Sequence, residues 1–287
     1  MKNILLVIAF VFTLLQANAQ TADYIIRNGK LIDGTGNQWQ YKDVAIKGNQ
    51  IIAIGNLKNW KATREIDAKG LIVAPGFIDV HGHLEGGEFR NPLASNFLYD
   101  GVTTVVTGNC GGSADNLNTY FNTLDSIGMS INIASLIGHN TIRKQVMGSA
   151  NRHATEAEMQ AMEKIAAEAM QDGAVGMSTG LIYIPGTYAP TEEIVRLAKV
   201  IASKGGVYAS HIRNEENQVV DAVNEAIQIG RAASIPVEIS HFKISGQNNW
   251  GRSKETIPLV INARKEGIDV TIDQYPYTAS STQLSVL

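Results

Sequence analysis

After Pro75-Gly76 the chain falls into an alternation of short apolar runs and amphipathic stretches, and this pattern restricts its fold more than any other feature. The runs are Phe77 to Val80, Thr103 to Thr107, Ile131 to Ile137, Ala174 to Ser178, Val207 to Ser210, Pro236 to Ser240 and Ile268 to Ile272. Continuous apolar runs of this length suit strands covered on both faces, the condition of a parallel sheet. Gly101, Gly128, Gly173, Gly205, Gly230 and Gly267 stand where each intervening helix should stop. Thr155 followed by Glu158 predicts a capped helix start, with Met159, Met162, Ile165, Ala166 and Ala169 on its inner face. Thr191 opens another helix, with Leu197, Val200 and Ile201 inward and with Glu192 and Glu193 in the first turn on a solvated face. Seven such units predict an α/β fold of the (β/α)8 TIM barrel type. A closed barrel has eight strands, so residues 75–287 are expected to form a barrel truncated before strand eight. A doubly wound open sheet is the alternative.

Upstream the rhythm is different. Tyr24 to Ile26, Val44 to Ile46, Ile51 to Ile54 and Leu71 to Val73 are short β-type runs separated by Asn28-Gly29, Gly34-Thr35-Gly36 and Gly48-Asn49. They predict hairpins in a small β-sandwich domain over residues 20–74. The first residues carry one cation at Lys2, an apolar run from Ile4 to Leu15 and the small-residue pattern Ala17-Asn18-Ala19. These are the parts of a secretory signal peptide over residues 1–19, so an exported protein, periplasmic or secreted, is expected. The apolar run is too short for a bilayer core of about 30 Å, and no span is expected in the mature chain.

Composition removes other classes. With 24 basic against 27 acidic side chains and no basic tract, the chain lacks the surface that tracks a phosphate backbone, so nucleic acid is not an expected partner. A single cysteine, Cys110, rules out an intramolecular disulfide, and stability must come from a core, for which 44% hydrophobic content is ample.

In parallel barrels, chemistry collects at the C-terminal ends of the strands. His81 and His83 follow the first strand as His-Gly-His, a spacing that puts both imidazoles on one side of an extended chain. Cys110 follows the second strand, His139 the third, His211 the fifth and His241 the sixth. One such histidine is readily structural, but a thiol and several imidazoles at one end of separate strands point to a metal site. Thiolate with imidazole favours zinc over magnesium or calcium, with iron or nickel as alternatives.

Five stretches together resemble the amidohydrolase superfamily, and within it the D-aminoacylase (N-acyl-D-amino-acid deacylase) group: Ala74-Pro75-Gly76-Phe77-Ile78-Asp79-Val80-His81-Gly82-His83, Thr107-Gly108-Asn109-Cys110-Gly111-Gly112, Gly180-Leu181-Ile182-Tyr183-Ile184-Pro185-Gly186, Ser210-His211-Ile212-Arg213 and Ser240-His241-Phe242-Lys243. The resemblance covers nearly the whole chain after the leader and implies a barrel of the metal-dependent amidohydrolase type. It implies that Cys110, His211 and His241 bind a catalytic zinc, with His81 and His83 forming a second, weaker site. It implies a general-base aspartate at the end of strand eight, beyond Leu287, for which Asp273 is a poor substitute. Where other superfamily members carry a bridging carboxylated lysine this chain has Met177-Ser178-Thr179, which argues against a hydantoinase or dihydroorotase. Glu85-Gly86-Gly87 also departs from the acidic residues usual in the group after the histidine pair.

A free α-carboxylate on the substrate would need cations or hydroxyl donors near the metal. Lys243 and Arg213 each lie two residues beyond a histidine, and the resemblance adds Tyr183 and Tyr275 to Lys243. The expected function is zinc-dependent hydrolysis of a small N-acyl-D-amino acid to a carboxylate and a free D-amino acid. The alternatives are a dipeptidase acting on a D residue and a non-catalytic periplasmic binding protein.

Overall fold

The computed structural model describes residues 20–84 and 86–284. The leader expected over residues 1–19 lies outside the described residues, as does Glu85. The chain divides into two compact units, one ending at Gly76 and one starting at Phe77.

Among the described residues, the first unit has strands and no helix. A four-stranded sheet runs in the order β5 (Gln50–Gly55), β4 (Asp43–Lys47), β1 (Thr21–Arg27), β6 (Lys61–Asp67). β1 pairs antiparallel with β4 and parallel with β6. A second sheet holds β3 (Gln40–Tyr41), β2 (Lys30–Leu31) and β7 (Ile72–Val73). The core is small, formed by Ala22, Ile25, Ala45 and Leu57. Arg27 adds a fork of 2.7 and 2.6 Å to the Glu65 carboxylate across the parallel pair. β6 has no counterpart among the expected strands, because Lys61, Arg64, Glu65 and Asp67 mask its strand pattern with charge.

The second unit is an all-parallel sheet whose strands β8 (Phe77–Asp79), β9 (Val102–Thr107), β10 (Asn132–Gly138), β11 (Gly176–Gly180), β12 (Val207–His211), β13 (Val237–Ile239) and β14 (Val270–Ile272) lie side by side in chain order. A doubly wound sheet reverses direction at a switch point. Here each unit adds its strand beside the last, which is barrel progression. The helices are α1 (Ser95–Tyr99), α2 (Leu117–Ile127), α3 (His139–Met147), α4 (Glu156–Gln171), α5 (Thr191–Ala202), α6 (Val219–Ala233) and α7 (Ser253–Lys265). Thr155 caps α4 as expected: its hydroxyl accepts from the Glu158 amide while the Glu158 carboxylate accepts from the Thr155 amide. Met159, Met162, Ala166 and Ala169 are buried below it. The main core joins Ile194, Leu197 and Ile201 of α5 to Met177, Tyr208 and Ile239 of the sheet. Full burial of each large aliphatic side chain contributes about 1.5–3 kcal/mol.

Two expectations fail here. Glu193 is not solvated; it is 3% exposed, on the same face of α5 as Leu197 four residues on. Nor does Gly230 end its helix. It sits inside α6, where a Cβ would meet Val237 Cγ2 at 2.3 Å, and the left-handed cap is Ser234 at φ 53°. Gly230 is therefore a contact point between α6 and β13. Gly230→Ala should gain up to about 1 kcal/mol of helix propensity and lose about 1–3 kcal/mol to overpacking, giving a lower urea midpoint.

Candidate metal centre

The loop Gly108-Asn109-Cys110-Gly111-Gly112, after β9, is shaped from below. Ser178 on β11, fully buried, donates to the Gly108 carbonyl at 2.5 Å and accepts from the Gly111 amide at 2.9 Å. Asn109 reaches back to the Val106 carbonyl at 3.0 Å. Gly111, at φ 79°, leaves no room for a side chain: a Cβ would lie 2.4 Å from Asn140 Oδ1 and 2.6 Å from the Gly180 amide. Cys110 itself adopts φ 53°, and His241 adopts φ 39°. Non-glycine residues pay roughly 1–3 kcal/mol to hold such conformations, which cluster at working sites.

The strand ends bring five of the expected residues together. Cys110 Sγ lies 3.6 Å from His241 Nε2, which lies 2.8 Å from His211 Nδ1. Cys110 Sγ also lies 3.5 Å from His81 Nε2. Two ligand sets result, Cys110 with His211 and His241, and Cys110 with His81 and His83, each with its donor atoms within 4.8 Å of one another. Tetrahedral zinc, with bonds of about 2.3 Å to sulfur and 2.0 Å to nitrogen, places its donors about 3.3–3.6 Å apart. The sulfur–imidazole distance in the first set matches this, the 2.8 Å between His241 Nε2 and His211 Nδ1 is shorter, and the soft donor set suits zinc chemically. His211 is 6% exposed, and its Nε2 has no hydrogen-bond partner among the described residues. Burial, with His241 and Lys243 nearby, pushes the His211 imidazole down to about 3. It is thus neutral at neutral pH, the form in which an imidazole can ligate a metal.

Two carboxylates orient the rings. Asp273, after β14, places Oδ2 3.0 Å from His81 Nδ1 and accepts from the His241 amide on Oδ1 at 2.5 Å. Glu215 Oε1 stands 3.0 Å from His241 Nδ1 and 2.6 Å from Lys243 Nζ. With a carboxylate at each Nδ1, the Nε2 atoms of His81 and His241 face Cys110. Burial raises the Glu215 carboxyl, but the hydrogen bond from His241 and the charge of Lys243 outweigh it and hold the group at about 2. Both oxygens of Asp273 are thus engaged with the two histidine segments. Asp273→Asn should weaken zinc binding about 10–100-fold, measured by competition with a chromogenic chelator. Glu215 went unnoticed in the sequence, although a carboxylate four residues beyond a strand-end histidine is a readable pattern.

These groups open into a cleft of about 900 Å³ whose walls include Tyr183, Lys243 and Tyr275. The Tyr183 ring packs against His211 with centroids 4.8 Å apart, and its hydroxyl is 3.0 Å from Thr282 Oγ1. Lys243 Nζ sits 5.7 Å from the Tyr275 ring centroid. Arg213 is elsewhere. Its guanidinium grips Glu225 at 2.9 and 2.8 Å and the carbonyls of Thr187 and Ala189 at 3.2 and 3.1 Å. With its donors spent on the turn after Tyr183, it is not placed to meet a substrate carboxylate. His139, also at a strand end, starts α3 and is wholly buried against Glu193 at 2.8 Å.

A model of the amidohydrolase family matches residues 64–272. The D-aminoacylase of Alcaligenes xylosoxydans xylosoxydans is 39% identical over 94% of this chain and 60% of its own length. A crystal structure of D-aminoacylase superposes with a TM-score of 0.85 at 39% identity, over 89% of this chain and 59% of that one. The N-acyl-D-glutamate deacylase of Bordetella bronchiseptica, solved with zinc and a phosphonate inhibitor, gives a TM-score of 0.83 at 38% identity, over 90% of this chain and 59% of that one. The chain thus spans about 60% of the length of the curated relative it matches. Consecutive parallel strands, a cysteine among strand-end imidazoles and a family match over most of the sequence agree: the chain belongs to the amidohydrolase family.

Proposed function

We infer that this chain carries the metal-binding and substrate-facing part of a zinc-dependent hydrolase of N-acyl-D-amino acids. The observation that carries the reading is the convergence of Cys110 Sγ, His211 Nδ1 and His241 Nε2 at the floor of a cleft large enough for such a substrate. The relatives, a D-aminoacylase and an N-acyl-D-glutamate deacylase, supply the substrate class.

Cys110, His211 and His241 would hold the tighter zinc, and Cys110 with His81 and His83 a weaker second ion. Zinc bound there supplies Lewis-acid polarisation of an acyl carbonyl and acidifies a water molecule toward a pKa of about 7. The chain's own side chains do the positioning. Lys243 Nζ, fixed by Glu215, offers its remaining protons to the α-carboxylate of the substrate. Tyr183, which stands over His211, and Tyr275, beneath the ammonium of Lys243, wall the cleft on either side. Glu215 and Asp273 stand at Nδ1 of His241 and His81, so the Nε2 atoms of these rings would be the ones to hold the metal.

Binding tests this directly. The zinc-loaded protein should bind a phosphonate analogue of an N-acetyl-D-amino acid at least about tenfold more tightly than the L enantiomer, a difference of about 1.4 kcal/mol. Equal affinity for the two enantiomers, or binding that is indifferent to zinc, would remove the assignment.

A further inference from the structure

The barrel unit contains a second cavity, of about 370 Å³, whose lining shares no residue with the metal cleft. On its wall stands Glu88, which is 5% exposed and whose Oε2 has no hydrogen-bond partner among the described residues. An unpaired carboxylate withdrawn from water is costly, and proteins compensate such groups with a cation or with donors.

Three hydroxyls of the wall have no proton to spare for it. The Ser113 hydroxyl gives its proton to the Ala114 carbonyl at 3.0 Å and accepts from the Gly138 amide at 3.0 Å. Ser135 donates to the Leu136 carbonyl at 2.9 Å. Thr141 donates to the Ser113 carbonyl at 3.3 Å and accepts from the Ser113 amide at 3.0 Å. Each of these three hydroxyls has spent its proton on backbone and shows the cavity only lone pairs. Phe89 and Tyr120 form an edge-to-face pair with centroids 5.8 Å apart on the same wall. A carboxylate, three hydroxyl acceptors and aromatic surface are complementary to a positively charged group that carries several N–H donors.

We propose that this cavity is a binding site for a small organic ammonium compound, with the ammonium group on Glu88 and its N–H donors shared among Ser113, Ser135 and Thr141. The volume exceeds what a bare metal ion needs and falls within the range of small-molecule pockets. The site is separate from the substrate cleft and flanks the Cys110 loop through Thr107, Gly108 and Gly112.

Thermal unfolding of the full chain at constant ionic strength tests the assignment, with methylammonium as probe and tetramethylammonium and sodium as controls. Methylammonium should raise Tm in a saturable way, by roughly 3 °C or more at about ten times its Kd. Tetramethylammonium, equally charged but without N–H donors, and sodium should not. Glu88→Gln should abolish the rise, and Ala114→Leu, which fills the cavity and leaves the carboxylate intact, should abolish it independently should the first variant not fold. No rise with methylammonium, a rise matched by either control, or one that persists in both variants overturns the proposal.

Discussion

Cys110→Ala should lower zinc affinity by roughly 10²- to 10⁴-fold. Zinc held by thiolates and imidazoles is bound with an apparent free energy of about 10–16 kcal/mol at neutral pH. Shared among three or four donors, that leaves about 3–5 kcal/mol for each, and about 1.4 kcal/mol is a factor of ten. Cys110 belongs at the upper end because it is the one anionic donor of the set and is common to both ligand groups. Folding should survive the change: the side chain is small and half-buried, and alanine meets the same cost at φ 53° as cysteine does. Chelator competition on the variant and on the parent protein provides the comparison. Equal zinc affinity in the two would show that sulfur is not a ligand.

Glu193→Ala should have the largest effect on stability, about 3–5 kcal/mol. Glu193 accepts from Arg143 Nη1 at 2.5 Å and meets His139 Nε2 at 2.8 Å, with all three side chains essentially excluded from water. Arg143 also donates to the Arg152 carbonyl at 2.6 Å, so the triad ties α3 and α5 to the segment before α4. Removing the carboxylate leaves a guanidinium in the core without its counter-charge. At about 2–4 °C per kcal/mol the loss should lower Tm by roughly 6–20 °C. The pH dependence has a definite sign. Burial raises the Glu193 carboxyl, but its bonds to His139 and Arg143 outweigh this and hold it below the usual 4.5. Its contribution is therefore complete above pH 4.5 and fades as pH falls through the depressed native value. Glu193→Gln should lose this part of the acid-unfolding profile. A stability within about 1 kcal/mol of the parent, at neutral pH, would mean that the triad is not coupled to the fold.

That triad also marks where the sequence was harder to read. The strand runs and the Thr155 cap were legible because they depend on local chemistry: apolar continuity for buried strands and a reciprocal pair of side-chain bonds for the cap. Glu193 was misread because its place in a first turn was weighed against the helix dipole alone. Its spacing of four from Leu197 put it on the inner face, and His139 and Arg143 share that spacing on α3. Two charged side chains on facing helices stabilise one another only once those helices pack, and no local pattern records the pairing.

The cluster of candidate metal ligands was legible for a related reason. In a parallel sheet the ends of separate strands converge, so residues far apart in sequence can be assigned to one site from topology. Roles beyond the ligands depended on side-chain direction. Lys243 and Arg213 have the same spacing from a histidine, yet Lys243 reaches Glu215 in the cleft and Arg213 turns away to Glu225. Asp273 was visible as a nearby carboxylate, but its bonds to His81 and to the His241 amide are tertiary. Gly230 likewise looked like a helix stop because its contact with Val237 comes from the next strand.

X-ray absorption at the zinc edge, on protein loaded with one equivalent of the metal, tests the assignment of Cys110, His211 and His241 most directly. One sulfur at about 2.3 Å together with imidazole nitrogens at about 2.0–2.1 Å is the expected coordination shell. A shell of nitrogen and oxygen only, or no stoichiometric binding of zinc, would contradict it.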